Sequence, residues 1–163
     1  METEMQPSTG TDRFEARPCA LALRDGRAVH GRISVPAGQT LVRFLRRRGR
    51  FLNLTHVNAD WVEASPAPHL SVGLDRIRWV GSSDGQIPLE PIAAMPLTVP
   101  ITLWLEHELV VEGRINVAFN ERMSDVLDTE SRFLALYQAV ADVGGTIGDI
   151  ALNVACITAA RER

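Results

Sequence analysis

The chain has 163 residues, 45% hydrophobic and 23% charged, with a formal net charge of −3. These proportions fit an ordinary globular protein, and no apolar run approaches the ~20 residues that span a bilayer. The polar opening from Met1 to Arg17 lacks the hydrophobic segment of a secretory signal, and Cys19 and Cys156 show neither CxxC nor zinc spacing, which points to a reducing, cytoplasmic setting.

In chain order, residues 1–17 are rich in Glu, Ser, Thr, Gly and Pro and read as a disordered tail. Leu21 and Leu23 alternate with smaller neighbours as in a half-buried strand, and Asp25-Gly26 is a hairpin signal. Val29, Gly31, Ile33 and Val35 share one face of the next strand, opposite His30, Arg32 and Ser34. A glycine inside a strand marks a bend or a close backbone approach. After Pro36 the period changes: Leu41, Phe44 and Leu45 fall on one helical face, with Thr40 as the expected N-cap. Phe51, Leu52, Leu54 and Val57 resume a strand, and Leu70–Val80 reads as a closing strand. Trp61-Val62 and the stretch near Ala141–Val143 are candidates for further strands. Three prolines and two glycines between Gly81 and Pro96 read as a semi-extended linker across the surface.

The pattern is written twice. Residues 19–58 align without a gap on 101–140, an offset of 82, and twelve of the forty positions are identical. Among them are Gly31/Gly113, Arg32/Arg114, Arg50/Arg132 and Phe51/Phe133. Unrelated segments would share about three. The second helix then begins after Asn120 as N-cap and carries Met123, Val126 and Leu127, and the second closing strand is Ile150–Ala159 at an offset of 80. The expected organisation is a tail (1–17), a first unit (18–81), a Pro-rich linker (82–98) and a second unit (99–163). The fold class is mainly β with short helices, as two tandem repeats of a small bent sheet with one inserted helix. Units this small bury little surface alone and are expected to pack on each other or on other chains.

The run Leu23-Arg24-Asp25-Gly26-Arg27-Ala28-Val29-His30-Gly31-Arg32-Ile33, with Phe51-Leu52-Asn53-Leu54-Thr55, resembles the strand signatures of Sm-like domains. That resemblance implies a strongly bent five-stranded barrel that often assembles into rings. About a dozen extra residues, including the helix, stand between Ile33 and Asn53. The Asp that Sm-like RNA binders place shortly before their Asn has no recognisable counterpart, so RNA binding does not carry over. In the second copy, Arg122-Met123-Ser124-Asp125-Val126-Leu127-Asp128 followed by Phe133-Leu134-Ala135-Leu136 resembles an uncharacterised prokaryotic family with the pattern Arg-Leu-Ser-Asp-x-Leu-Asn, then Phe-Leu-x-Leu-Thr. That resemblance supports the fold and transfers no activity.

The two copies carry opposite charge. Residues 19–58 hold eight Arg and one Asp; residues 101–140 hold three Arg and seven acidic residues. Arg43, Arg46, Arg47 and Arg50 share one helical face, joined by Arg48, and like charges so placed repel unless neutralised. Arg43 aligns with Asp125, Arg46 with Asp128 and Arg48 with Glu130. The basic face (Arg43, Arg46, Arg47, Arg48, Arg50) and the acidic face (Asp125, Asp128, Glu130) are therefore the candidate interaction surfaces. Partners of the basic face would be another copy, another protein or, as the alternative, a nucleic acid or anionic ligand bound through phosphate. Phe44 and Phe51 have core spacing rather than that of a stacking platform. The four histidines lack metal-binding spacing, and no Gly-rich phosphate loop, nucleophile elbow or carboxylate pair appears, so no cofactor, metal or catalytic role is expected.

Overall fold

The computed structural model describes residues 13–63, 66–91, 97–129 and 132–163. Among the described residues, ten antiparallel strands form one sheet. They are β1 (Phe14–Leu23), β2 (Ala28–Pro36), β3 (Phe51–Asn58), β4 (Ala67–Gly73), β5 (Ile77–Ser82), β6 (Leu97–Leu105), β7 (Val110–Val117), β8 (Phe133–Ala141), β9 (Gly145–Asn153) and β10 (Ile157–Glu162). Two short helices, α1 (Leu41–Arg47) and α2 (Met123–Thr129), follow β2 and β7. The sheet order is β10-β6-β7-β8-β9-β5-β1-β2-β3-β4. Each half thus contributes its five strands in the same order, and β5 against β9 is the seam (Trp79 opposite Leu152, Val80 opposite Ala151, Gly81 opposite Ile150). β4 and β10 are left as the two edges of the sheet.

Alternation in β2 behaves as the pattern dictates: Val29, Gly31, Ile33 and Val35 are buried, and His30, Arg32 and Ser34 are exposed. The glycines explain the bend. A Cβ on Gly31 would meet Thr55 O at 3.1 Å; on Gly113 it would meet Leu136 Cδ1 at 2.8 Å and Tyr137 O at 3.0 Å. The facing strands bulge at this point, with the pairing shifted between His30 and Arg32 and between Glu112 and Arg114. The bulge places a non-glycine residue in the left-handed region at matching positions, His56 (φ 50) and Gln138 (φ 51). A bulge of this kind raises local twist and turns a strand, so a side chain at either glycine would obstruct the turn.

Both helices span seven residues, too short to persist without tertiary packing. α1 buries Leu41, Val42, Phe44 and Leu45 and packs against β8. Its first N–H groups are satisfied by the connection between the halves, not by Thr40: Leu41 N donates to Pro88 O (2.8 Å) and Val42 N to Leu89 O (3.0 Å). Thr40 Oγ1 is buried without a hydrogen-bond partner among the described residues. In α2 the cap is likewise not Asn120; Asp125 Oδ2 reaches back and accepts from Arg122 N at 2.8 Å.

Several expectations are corrected. Phe14–Arg17 belong to β1, not to a tail, because their backbone pairs with Ile33–Pro36 of β2; residues 1–12 of the tail lie outside the described ones. The connection does not merely cross the surface, since Ile87 and Leu89 are buried in the first core. Each closing stretch is two strands broken by a 3₁₀ turn, Leu74–Arg76 and Val154–Cys156. Trp61 and Val62 form a turn; the Trp61 indole lies under the Arg27 guanidinium (4.2 Å) and donates to Ala28 O.

The cores interlock across the seam. Phe133, Ala135 and Ala151 from the second half are buried in the first core, and Trp79 of β5 packs against the second. Burying one large apolar side chain stabilises by about 1.5–3 kcal/mol, so these exchanges hold the halves together.

Candidate interaction surfaces

The seam is fastened by side chains that reach over it. Arg24, at the end of the β1–β2 hairpin, donates from Nε to Glu106 Oε2 at 2.9 Å, and its Nη2 pairs with Oε1 of the same carboxylate. Its Nη1 donates to Asp75 O (3.0 Å), while Arg24 O accepts from Arg78 Nη2 (2.9 Å). The hydrogen bond from Arg24 holds the Glu106 carboxyl below the usual carboxylate range, and the same bond raises Arg24. A cleft of about 610 Å³ opens here, lined by Arg24, Asp25, Asp75, Arg76, Glu106 and His107.

A second fastening lies beside β8. Arg132 donates from Nη1 to Arg48 O (2.8 Å) and from Nη2 to Gly49 O (3.1 Å), and Arg46 Nη2 donates to Phe133 O (3.0 Å). Burial lowers the pKa of Arg46. Beneath the strands, Asn153 Nδ2 donates to Ile77 O at 2.8 Å.

A third contact ties the connection to the second half. Glu90 Oε1 accepts from Tyr137 Oη and from Asn116 Nδ2, each at 2.9 Å. Burial first, then the Glu90 carboxylate, pushes the Tyr137 hydroxyl upward. A groove of about 670 Å³ runs past Tyr137, Glu90, Asp149 and the backbone of Gly81 and Gly148.

Of the residues singled out from sequence, Arg43, Arg47 and Arg50 are exposed on or just after α1. Arg46 is turned toward β8. Arg48 is half-buried, 5.5 Å from the Phe44 ring, with its Nε buried and without a hydrogen-bond partner among the described residues. Asp125 and Asp128 are exposed on α2, Asp125 serving its own helix; Glu130 lies outside the described residues. Phe44 is core at 6% exposure, but Phe51 is not, at 50%. Its apolar environment in the second copy, around Phe133, belongs to the seam, which β3 does not reach.

Sequence reasoning missed Arg24, Glu106 and Arg132 as seam residues. A signal was present for the first two. They occupy equivalent positions, 82 apart, with opposite charge, the same feature that drew attention to Arg43 and Asp125. Among the described residues no helix is long and apolar enough to cross a membrane. Comparison with protein-family models, with curated proteins and with solved structures returned no match for this chain.

Proposed function

We propose that the chain is a non-catalytic assembly module made of two tandem, bent-sheet units of Sm-like type, the first holding β1–β5 and the second β6–β10. The observation that carries the reading is the β5–β9 seam. It joins two halves of identical strand order edge to edge and leaves the edges β4 and β10 at the ends of the same sheet. A unit that already pairs through one edge of each kind is suited to further pairing, since unpaired strand edges recruit other strands. The matched bulges at His56 and Gln138 and the matched glycines support a common bend in both units.

In this reading the basic face (Arg43, Arg46, Arg47, Arg48, Arg50) and the acidic face (Asp125, Asp128, Glu130) set partner choice and register more than strength, because exposed pairs contribute only about 0–1 kcal/mol each. The buried, free cysteines fit a reducing cytoplasm.

A second reading is favoured by one observation. Phe51 is half exposed with the Arg50 guanidinium 6.0 Å from its ring, and an aromatic beside arginines is what a single-stranded nucleic acid stacks on. Light scattering behind size exclusion, at low and high salt, separates the two. Assembly predicts a multimer at low salt that shifts toward the 17.9 kDa chain at high salt. A monomer at both salts that carries excess absorbance at 260 nm would replace the assembly reading with the nucleic-acid one.

A further inference from the structure

The two copies of one phenylalanine meet different fates. Phe133 is 1% exposed and Phe51 is 50% exposed, although they hold equivalent positions at the start of β8 and β3. Phe133 is buried because the first half covers it: α1 packs against β8, and Phe133 joins the core that contains Leu41 and Leu45. The cover that Phe51 lacks has its own counterpart. On α2, Met123 and Leu127 stand where α1 has Leu41 and Leu45. They are half-buried, while Leu41 and Leu45 are 0% exposed. One end of the sheet therefore has an uncovered phenylalanine, and the other an under-covered helix face of the kind that buries it.

The arginines repeat the contrast. Arg132 crosses the seam to the Arg48 and Gly49 carbonyls. Arg50, its identical counterpart, is exposed beside Phe51. At the far end, α2 presents Asp125 and Asp128, which suit a neighbouring arginine.

Resting on the assembly reading, we propose that the occupant of both ends is a second copy of this chain, docked by repeating the internal seam. β4 of one copy pairs antiparallel with β10 of the other, and Phe51 enters the face of α2. The internal register, carried across by the offset of 80, sets Val72 opposite Ala159, Ser71 opposite Ala160 and Leu70 opposite Arg161. Thr158, Ala159 and Arg161 on β10 and His69 and Ser71 on β4 are exposed, as unpaired edges require. Asn53 and Ser71 replace the buried Ala135 and Ala151 of the seam. The Ser71 hydroxyl donates to Asn53 Oδ1 at 2.8 Å, so these polar groups partner one another when covered. That substitution makes the contact between chains weaker than the seam within a chain, and reversible. The contact is head-to-tail, so it closes as a ring or runs on as a filament.

The test uses full-length Ser71→Cys and Ala160→Cys chains, oxidised gently at low salt and read on non-reducing gels, with light scattering of the unmodified and Phe51→Ala chains alongside. Residues opposed in a strand pair can lie within disulfide reach. The mixture of the two variants is expected to give a covalent dimer and either variant alone none. The Phe51→Ala chain should associate at least about tenfold more weakly with unchanged unfolding as a monomer. Cross-linking of Ser71→Cys with itself, or a multimer whose mixture does not cross-link, would overturn this docking while the assembly reading stands. A chain monomeric at low salt and without cross-links overturns both.

Discussion

Arg24 and Glu106 occupy the same position in the two halves of the chain and clasp one another across the seam. Residues at matching positions touch only where two copies meet with those positions side by side, and opposite charges make the contact favourable. The pair is about one-third exposed on each side, so its contribution is that of a solvent-screened pair. Arg24→Ala and Glu106→Ala, combined in a double-mutant cycle by urea denaturation, should give a coupling of about 0.5–1 kcal/mol. The folded-state pKa of Glu106 is depressed, so this stability is present above the ordinary carboxylate pKa and lost as pH falls through the lower folded value. The coupling should therefore persist at pH 7 and fade under strongly acidic conditions. A coupling that is constant down to the lowest pH at which the chain stays folded would contradict the assignment.

Alkaline pH should act through Cys19. Its thiol is buried and pushed up to about 12, while in the unfolded chain it ionises near its ordinary value. A raised folded-state pKa gives stability that is whole below the unfolded value and is lost as pH rises toward the folded one. Thermal midpoints should fall from about pH 9 upward, and Cys19→Ala should flatten that fall relative to its own midpoint at neutral pH. Cys156 and Tyr137, both raised first by burial, add slopes of the same sign that Cys19→Ala leaves in place.

Alanine at the two bend glycines should not cost the same. At Gly113 the new methyl would lie 2.8 Å from Leu136 Cδ1 and Cγ and 3.0 Å from the Tyr137 carbonyl; at Gly31 the nearest atom is the Thr55 carbonyl at 3.1 Å. Gly113→Ala is expected to lose about 1–3 kcal/mol, and Gly31→Ala less. Equal losses by chemical denaturation would mean that the bends relax alike.

Truncating the phenylalanines should separate even more widely. Phe133→Ala removes a ring buried at 1% exposure between the halves and should destabilise by about 3–5 kcal/mol. Phe51→Ala, measured on dilute monomer, should change stability by less than about 0.5 kcal/mol.

Local patterns in the sequence carried most of this architecture. Period-two alternation marked β2, and the switch to Leu41, Phe44 and Leu45 marked α1. Repetition then placed α2 at Met123–Thr129, 82 residues on. What the sequence hid was long-range. Thr40 has the right chemistry for a cap, but the helix start is covered by Pro88 and Leu89 carbonyls from a segment that composition marks as linker. Phe51 and Phe133 have the same local pattern, and only the position of each strand relative to the seam decides which is buried. Arg132 is one more surface arginine until the Arg48 and Gly49 carbonyls are brought beside it.

The interlocked cores have a consequence for synthesis. The first core contains Phe133, Ala135 and Ala151, which leave the ribosome long after the strands they cover. The N-terminal half must therefore wait, with Leu41, Leu45 and their neighbours incompletely shielded, until nearly the whole chain has emerged. Contacts so distant in sequence slow folding, and exposed edges during that wait invite aggregation. A nascent chain stalled before Phe133 would be the species most in need of a chaperone.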